Sequence, residues 1–207
     1  MTHMSNSKRS VQELQTLLSE VLGAHLKNLV IDRGDVIASV SGQDILHVLK
    51  TCKENPQLGF NMLIDVTAVD WMDAREQRFE VVYQLLNLGA ASRLTIKVPI
   101  SESSPVIASA TSIWNGANFL EREVFDMFGI RFEGHKDLRR ILMYDEFVGH
   151  PLRKDYPVQA KQPRIPLRMP EVENTARRMQ RPDLVSIRPK QSPIAERGAR
   201  RGDQEAR

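Results

Sequence analysis

Eight of the eleven prolines fall at positions 151, 157, 163, 166, 170, 182, 189 and 193, and that crowding decides how much of the chain can form regular structure. Proline fixes φ, removes an amide donor and breaks a helix or a sheet ladder. Among these prolines only residues 171–180 leave room for a helix. The folded core must therefore come from roughly the first 130 residues. The chain is read as a body over residues 1–130, a loop region over 131–157 and an extended, largely irregular, proline- and arginine-rich arm over 158–207.

Composition adds three limits. Apolar residues make up 41% of the 207, enough for one core. The single cysteine, Cys52, excludes intramolecular disulfides and any cysteine-ligated cluster built by this chain alone. No apolar run approaches the roughly 20 residues that cross a bilayer, and the start, MTHMSNSKRS, has no apolar signal core. The expectation is a soluble, cytoplasmic protein unless another chain holds it at a membrane. The net charge of +3 is uneven: from Val158 onward twelve Lys/Arg stand against six Asp/Glu, so the body is mildly acidic and the arm basic.

Along the body, Ser10 with Glu13 three residues later reads as a capping box. Val11, Leu14, Leu17, Leu18, Val21 and Leu22 follow at helical spacing, with Gly23 placed to end the helix. Residues 29–31 and 36–40 flank Asp32-Arg-Gly-Asp35, a hairpin pattern, and a second helix is expected over 43–54, stopped by Asn55-Pro56. Three strand-like segments follow at 61–69, 78–88 and 93–100. Helical spacing is then read over 105–111 and 116–128, with Gly129 as the stop and no regular structure after it. This order predicts an α+β fold, a small mixed sheet with helices packed on it. The body has no glycine-rich phosphate loop and no βαβ alternation, which argues against a nucleotide-binding fold.

The densest chemistry lies in FLEREVFDMFGIRFEGHKDLRRIL, Phe119 to Leu142. At about 100° per residue, Leu120, Val124, Phe125, Met127 and Phe128 share one arc, while Arg122, Glu123 and Asp126 take the other. Arg122 and Asp126 then form an i,i+4 pair. Glu121 falls inside the apolar arc, where an unpaired carboxylate costs several kcal/mol. Either it anchors an arginine from the following loop, with Arg139 and Arg140 the nearest, or it is a tuned acid/base or a metal ligand. The balance favours the anchor: Glu121 and Glu123 point about 200° apart on the wheel and cannot grip one ion together. His135 and His150 each follow a loop glycine with no helical partner. Gly134-His-Lys-Asp-Leu-Arg-Arg140 is echoed by Gly149-His-Pro-Leu-Arg-Lys-Asp155. The echo reads equally as two solvated basic turns or as arginines reaching carboxylates of a neighbouring subunit.

These residues resemble a known signature. Glu121-Arg-Glu-Val-Phe-Asp126, Met127 to His135, Asp137-Leu-Arg-Arg-Ile-Leu142 and Gly149-His-Pro-Leu-Arg-Lys-Asp-Tyr-Pro157 are similar to that of the respiratory complex I 30 kDa subunit family, which in bacteria belongs to the proton-translocating NADH–quinone oxidoreductase. Lys136 stands where the family commonly has proline. The resemblance implies a peripheral-arm subunit lying against the 49 kDa subunit near the quinone-reduction region. It further implies a place on the cytoplasmic face of the bacterial inner membrane, attached only through the complex. No catalytic, cofactor or metal residue is implied on this chain; FMN and iron–sulfur clusters belong to partner subunits. Glu121, Arg122, Glu123, Asp126, His135, Asp137, Arg139, Arg140, His150, Arg153, Lys154 and Asp155 are then structural or interface residues. An equivalent subunit of a ferredoxin-driven or hydrogenase-linked complex is the near alternative. Nucleic-acid binding by the basic arm is the distant one, and the absence of aromatic residues after Tyr156 argues against it.

Overall fold

The computed structural model describes residues 9–163, and the expected arm beyond residue 163 lies outside them. Ser10 caps the first helix, α1 (Val11–Leu22), its hydroxyl accepting from the Glu13 amide while the Glu13 carboxylate reaches back to the Ser10 amide. A 3-10 turn leads into the hairpin β1 (Leu26–Asp32) and β2 (Asp35–Val40), closed by Arg33 and Gly34 at positive φ. Helix α2 (Ile45–Glu54) follows, then a meander of β3 (Met62–Asp70), β4 (Phe79–Asn87) and β5 (Ser92–Ile100).

These five strands form one sheet in the order β1-β2-β5-β4-β3, in which the β2–β5 pairing is parallel and the others are antiparallel. The register lines up Ala38, Ile96, Tyr83 and Val66 in a single row across the buried face. Leu14, Leu18 and Leu22 of α1 and Ile45, Val48, Leu49 and Cys52 of α2 pack on that face. They are joined there by Val124, Met127 and Phe128 of the third helix, α3 (Ala117–Phe128). The mixed sheet with helices on it is the α+β fold expected, and the strands lie within a few residues of their expected limits.

Two expectations change. Residues 105–111 are not helical: they hold a short strand, β6 (Val106–Ala108), and a 3-10 turn (Ala110–Ser112). The β-branched pair Val106-Ile107 finds a parallel partner in β7 (Arg131–Glu133), and the Ser109 hydroxyl accepts from the Thr111 amide to start the turn. Regular structure also continues past Gly129, because β7 follows α3 directly.

Candidate functional site

Helix α3 stops at Gly129, which adopts the left-handed conformation at φ 76°. Of the four carbonyls of its last turn, the first keeps its helical donor, and the other three, left without one, are filled from the turn that follows in the chain. The Gly129 amide donates to Phe125 O at 2.9 Å and the Leu152 amide to Met127 O at 3.1 Å. His150 Nδ1 donates to Asp126 O at 2.9 Å and Arg153 Nε to Phe128 O at 2.5 Å. Burial pushes the His150 pKa down, consistent with a neutral ring donating through Nδ1. A Cβ on Gly129 would lie 2.5 Å from both the Arg153 Nη2 and the His150 Nε2, so glycine is required by conformation and by space. The turn 149–153 is thus the cap of α3.

The loop before it is held by Asp126. This carboxylate is fully buried. Oδ1 accepts from Arg140 Nη1 at 2.7 Å, and Oδ2 from the amides of Ile141, Leu142 and Met143 at 3.1, 2.8 and 2.8 Å. Burial raises its pKa, but the Met143 and Leu142 amides and Arg140 outweigh that and hold it below the ordinary carboxylate value. Arg140 Nη2 also donates to Gly149 O at 3.1 Å, tying the two glycine-histidine turns together. Arg122 does not pair with Asp126 as the helical spacing predicts. Its Nε and Nη2 donate instead to the carbonyls of Arg139 and Arg140, both at 3.1 Å.

Glu121 is the main correction. It is fully buried, as the wheel requires, yet no arginine among the described residues reaches it. It accepts from the Ser109 hydroxyl and the Ala110 amide, each at 2.6 Å. Burial drives its pKa up to about 7, only partly opposed by those two bonds. The buried Tyr83 hydroxyl, with no hydrogen-bond partner among the described residues, is pushed up by its own burial and then by the Glu121 charge. Arg140 does anchor a helix carboxylate, but that carboxylate is Asp126, because the loop crosses the polar side of α3 while the 109–110 turn meets its apolar side.

A second ion cluster ties the loop to the sheet. Arg78 grips Asp70 with two bonds of 3.0 and 2.9 Å and reaches Asp155 at 2.8 Å and Glu102. Asp70 also accepts from the Lys154 amide at 2.9 Å, and these partners overcome burial to hold it at about 2. Asp155 is held low chiefly by Arg78. Asp70, Arg78, Glu102 and Ser109 lie outside the signature and sequence reasoning missed them. The only trace is an aspartate ending β3 opposite the start of β4 across a short loop.

Of the remaining candidates, His135 accepts from the Asp137 amide at Nδ1 (3.1 Å) and contacts Asn118 O through Nε2 at 3.2 Å. Asp137 and Arg139 form an exposed pair at 3.1 Å. Glu123 is exposed, and Lys154 enters the network only through its amide. The structure gathers Arg122, Asp126, Arg139, Arg140, His150, Arg153, Lys154 and Asp155 around the end of α3 and leaves Glu121 on the opposite side. Among the described residues no group of three or more histidine, cysteine or carboxylate side chains is arranged to hold a metal.

The arrangement matches a known family. The model for the respiratory-chain NADH dehydrogenase 30 kDa subunit matches residues 38–162, and the chain belongs to that family. Its relatives are single subunits of NADH-quinone oxidoreductase. The one from Trichlorobacter lovleyi is 48% identical over 156 residues, covering 75% of this chain and 93% of that one. The one from Geobacter sulfurreducens is 40% identical with the same coverage. Among solved structures, the trypsin-resistant fragment (1–134) of Nqo5 is similar with a TM-score of 0.54 at 34% identity, covering 60% of this chain and 98% of the fragment. A chain of an archaeal respiratory membrane complex, the membrane-bound sulfane sulfur reductase, is similar with a TM-score of 0.62 at 25% identity, covering 72% of this chain and 86% of that one.

Proposed function

We propose that this chain is a non-catalytic structural subunit of the peripheral arm of a proton-translocating NADH–quinone oxidoreductase, docked against the 49 kDa subunit near the quinone-reduction region. Membership of the 30 kDa family supports the enzyme. The observation that carries the structural role is that the signature charges gathered at the end of α3 are engaged within the chain, while Glu123 and the Asp137–Arg139 pair stay exposed. Asp126 is saturated by Arg140 and three amides, and His150 and Arg153 cap α3. Asp155 is held by Arg78. General acid–base catalysis needs a titratable group within reach of substrate, and these groups are engaged in building a loop. FMN and iron–sulfur clusters then reside on partner subunits. Attachment to the cytoplasmic face of the inner membrane runs through the complex, in keeping with the lack, among the described residues, of a helix long and apolar enough to cross a bilayer.

Affinity purification of the tagged chain from its native membranes, with mass spectrometry of what accompanies it, tests the proposal. Recovery of the 49 kDa subunit with flavin and iron–sulfur subunits is the expected result. Recovery of the chain alone, with NADH-oxidising activity, would overturn it. The likeness to a chain of the sulfane sulfur reductase supports one further reading, an equivalent scaffold in a respiratory complex that reduces a different acceptor. The subunits recovered in the same experiment separate the two.

A further inference from the structure

Among the described residues, three buried side-chain atoms have no hydrogen-bond partner, and two of them, Arg9 Nη1 and Ser92 Oγ, belong to residues that line one cleft. The cleft has a volume of about 490 Å³ and lies where the first turn of α1 meets the start of β2 and the turn from β4 into β5. Ser92 opens β5 and is only 7% exposed. Side chains two apart on a strand share a face. Ser92 therefore points to the same side of the sheet as the core residue Leu94, the side on which Leu14 of α1 packs. Its hydroxyl faces the gap between sheet and helix. A buried hydroxyl or guanidinium N–H left unmet carries the full cost of its desolvation. Two such groups on one cleft mark a place for a shared acceptor.

The other groups there decide the charge of that acceptor. Arg9 is held from two sides: its amide donates to Ala90 O at 3.4 Å and its Nη2 to Gln57 O at 2.7 Å, which fixes the guanidinium while Nη1 stays unmet. Arg93 also lines the cleft, and neither arginine takes part in an ion pair among the described residues. Helix α1 adds its N-terminus. Ser10 Oγ takes the Glu13 amide and Ser10 O the Leu14 amide, and the amide of Val11, which lines the cleft, has no partner within the helix. Such a helix end favours a negative charge. Asp35 is the one carboxylate lining the cleft, and it pairs with neither arginine. The Glu13 carboxylate is engaged by the Ser10 amide. With Nη2 already spent, Arg9 does not offer the two-pronged edge that matches a planar carboxylate. Donors drawn from four residues on different elements suit a tetrahedral oxyanion, whose oxygens point in several directions.

We propose that this cleft binds a phosphate group, as free phosphate or as the phosphate of a small monoester, through Arg9, Ser92, Arg93 and the first turn of α1. The site shares no residue with the α3 cap and does not depend on the docking proposed above. Calorimetric titration of the full-length chain tests it, with inorganic phosphate and separately with glycerol phosphate, at an ionic strength held constant with chloride. Saturable single-site binding is expected. Tighter binding of glycerol phosphate would show that the cleft takes an organic part, and equal binding that it takes phosphate alone. Arg9→Gln is expected to weaken binding at least about tenfold, the loss of one charge-assisted hydrogen bond. Arg131→Gln, which removes the same charge at an exposed position of β7, is expected to leave it unchanged. Asp35→Asn removes the opposing charge and is expected to tighten it. Ser92→Ala is expected to weaken binding while stabilising the phosphate-free chain, because it removes an unmet buried hydroxyl. Absence of saturable binding to the parent, or equal weakening by Arg9→Gln and Arg131→Gln, would overturn the proposal. If Arg9→Gln fails to fold, the other two variants decide: affinity unchanged in both Asp35→Asn and Ser92→Ala would overturn it as well.

Discussion

Arg140 and Asp126 meet at 2.7 Å at the end of α3, and the carboxylate that holds the arginine also holds three successive loop amides. One helix side chain thereby sets the path of residues 140–143. Replacing Asp126 by alanine orphans a largely buried guanidinium together with those amides, and the expected loss is about 3–5 kcal/mol. Arg140→Ala leaves the carboxylate its amides and is expected to cost less, about 1–3 kcal/mol. Denaturant unfolding of the full chain measures both. A loss below about 1 kcal/mol for Asp126→Ala, the size of one ordinary hydrogen bond, would contradict this role.

Glu121 gives a pH dependence of opposite sign to ordinary acid unfolding. Its folded pKa of about 7 lies above the reference 4.5, so the folded state binds the proton more tightly than the unfolded one. Stability from this group is full below about 4.5 and falls as pH rises to about 7, by about 3 kcal/mol. Glu121→Gln keeps an acceptor for either the Ala110 amide or the Ser109 hydroxyl, and is expected to flatten the profile between about pH 5 and 8. A variant with the same slope as the parent would assign the slope elsewhere.

Arg78 and Asp70 form the second joint. Arg78→Ala leaves Asp70, its side chain only 2% exposed, without its guanidinium. The expected cost is about 3–5 kcal/mol. Release of the 153–156 turn should accompany it, visible as faster proteolysis there. For the parent, Asp70 contributes stability that is present above about pH 3.8 and lost as pH falls through about 2. That acid limb should be absent in the Arg78 variant.

Gly129→Ala tests the cap. The left-handed backbone alone costs a β-carbon roughly 1–2 kcal/mol, and the added carbon would also displace His150 and Arg153 from the carbonyls they fill. The expected result is a larger loss than the backbone penalty, measured by thermal or denaturant unfolding. A loss no greater than that penalty would mean the cap is dispensable.

The legible and illegible parts of this fold divide by range. Ser10 with Glu13, Arg33-Gly34 and Gly129 act on their own neighbours, so their roles follow from local spacing. Glu121 is legible as buried because a helix wheel gives azimuth. The wheel does not give what covers each side: the 109–110 turn lies over Glu121 and the 140–143 loop over Asp126, so spacing alone hands the arginine to the wrong carboxylate. Residues 105–111 mislead for the same reason, since β7, arriving 25 positions later, supplies the partner that makes Val106-Ile107 a strand. Asp70 and Arg78 sit outside the signature and meet Asp155 and Lys154 only in three dimensions.

The signature charges order the loop over α3 and cap the helix, and on the function proposed above they do not act on substrate. Turnover of NADH with quinone, measured per mole of assembled enzyme, tests that claim in complexes carrying Asp126→Asn, Arg140→Ala, His150→Gln or Arg153→Ala. These changes are expected to lower the amount of assembled enzyme while turnover per assembled complex stays near that of the parent. Full assembly with turnover lost would contradict the claim, and would place one of these side chains in the chemistry.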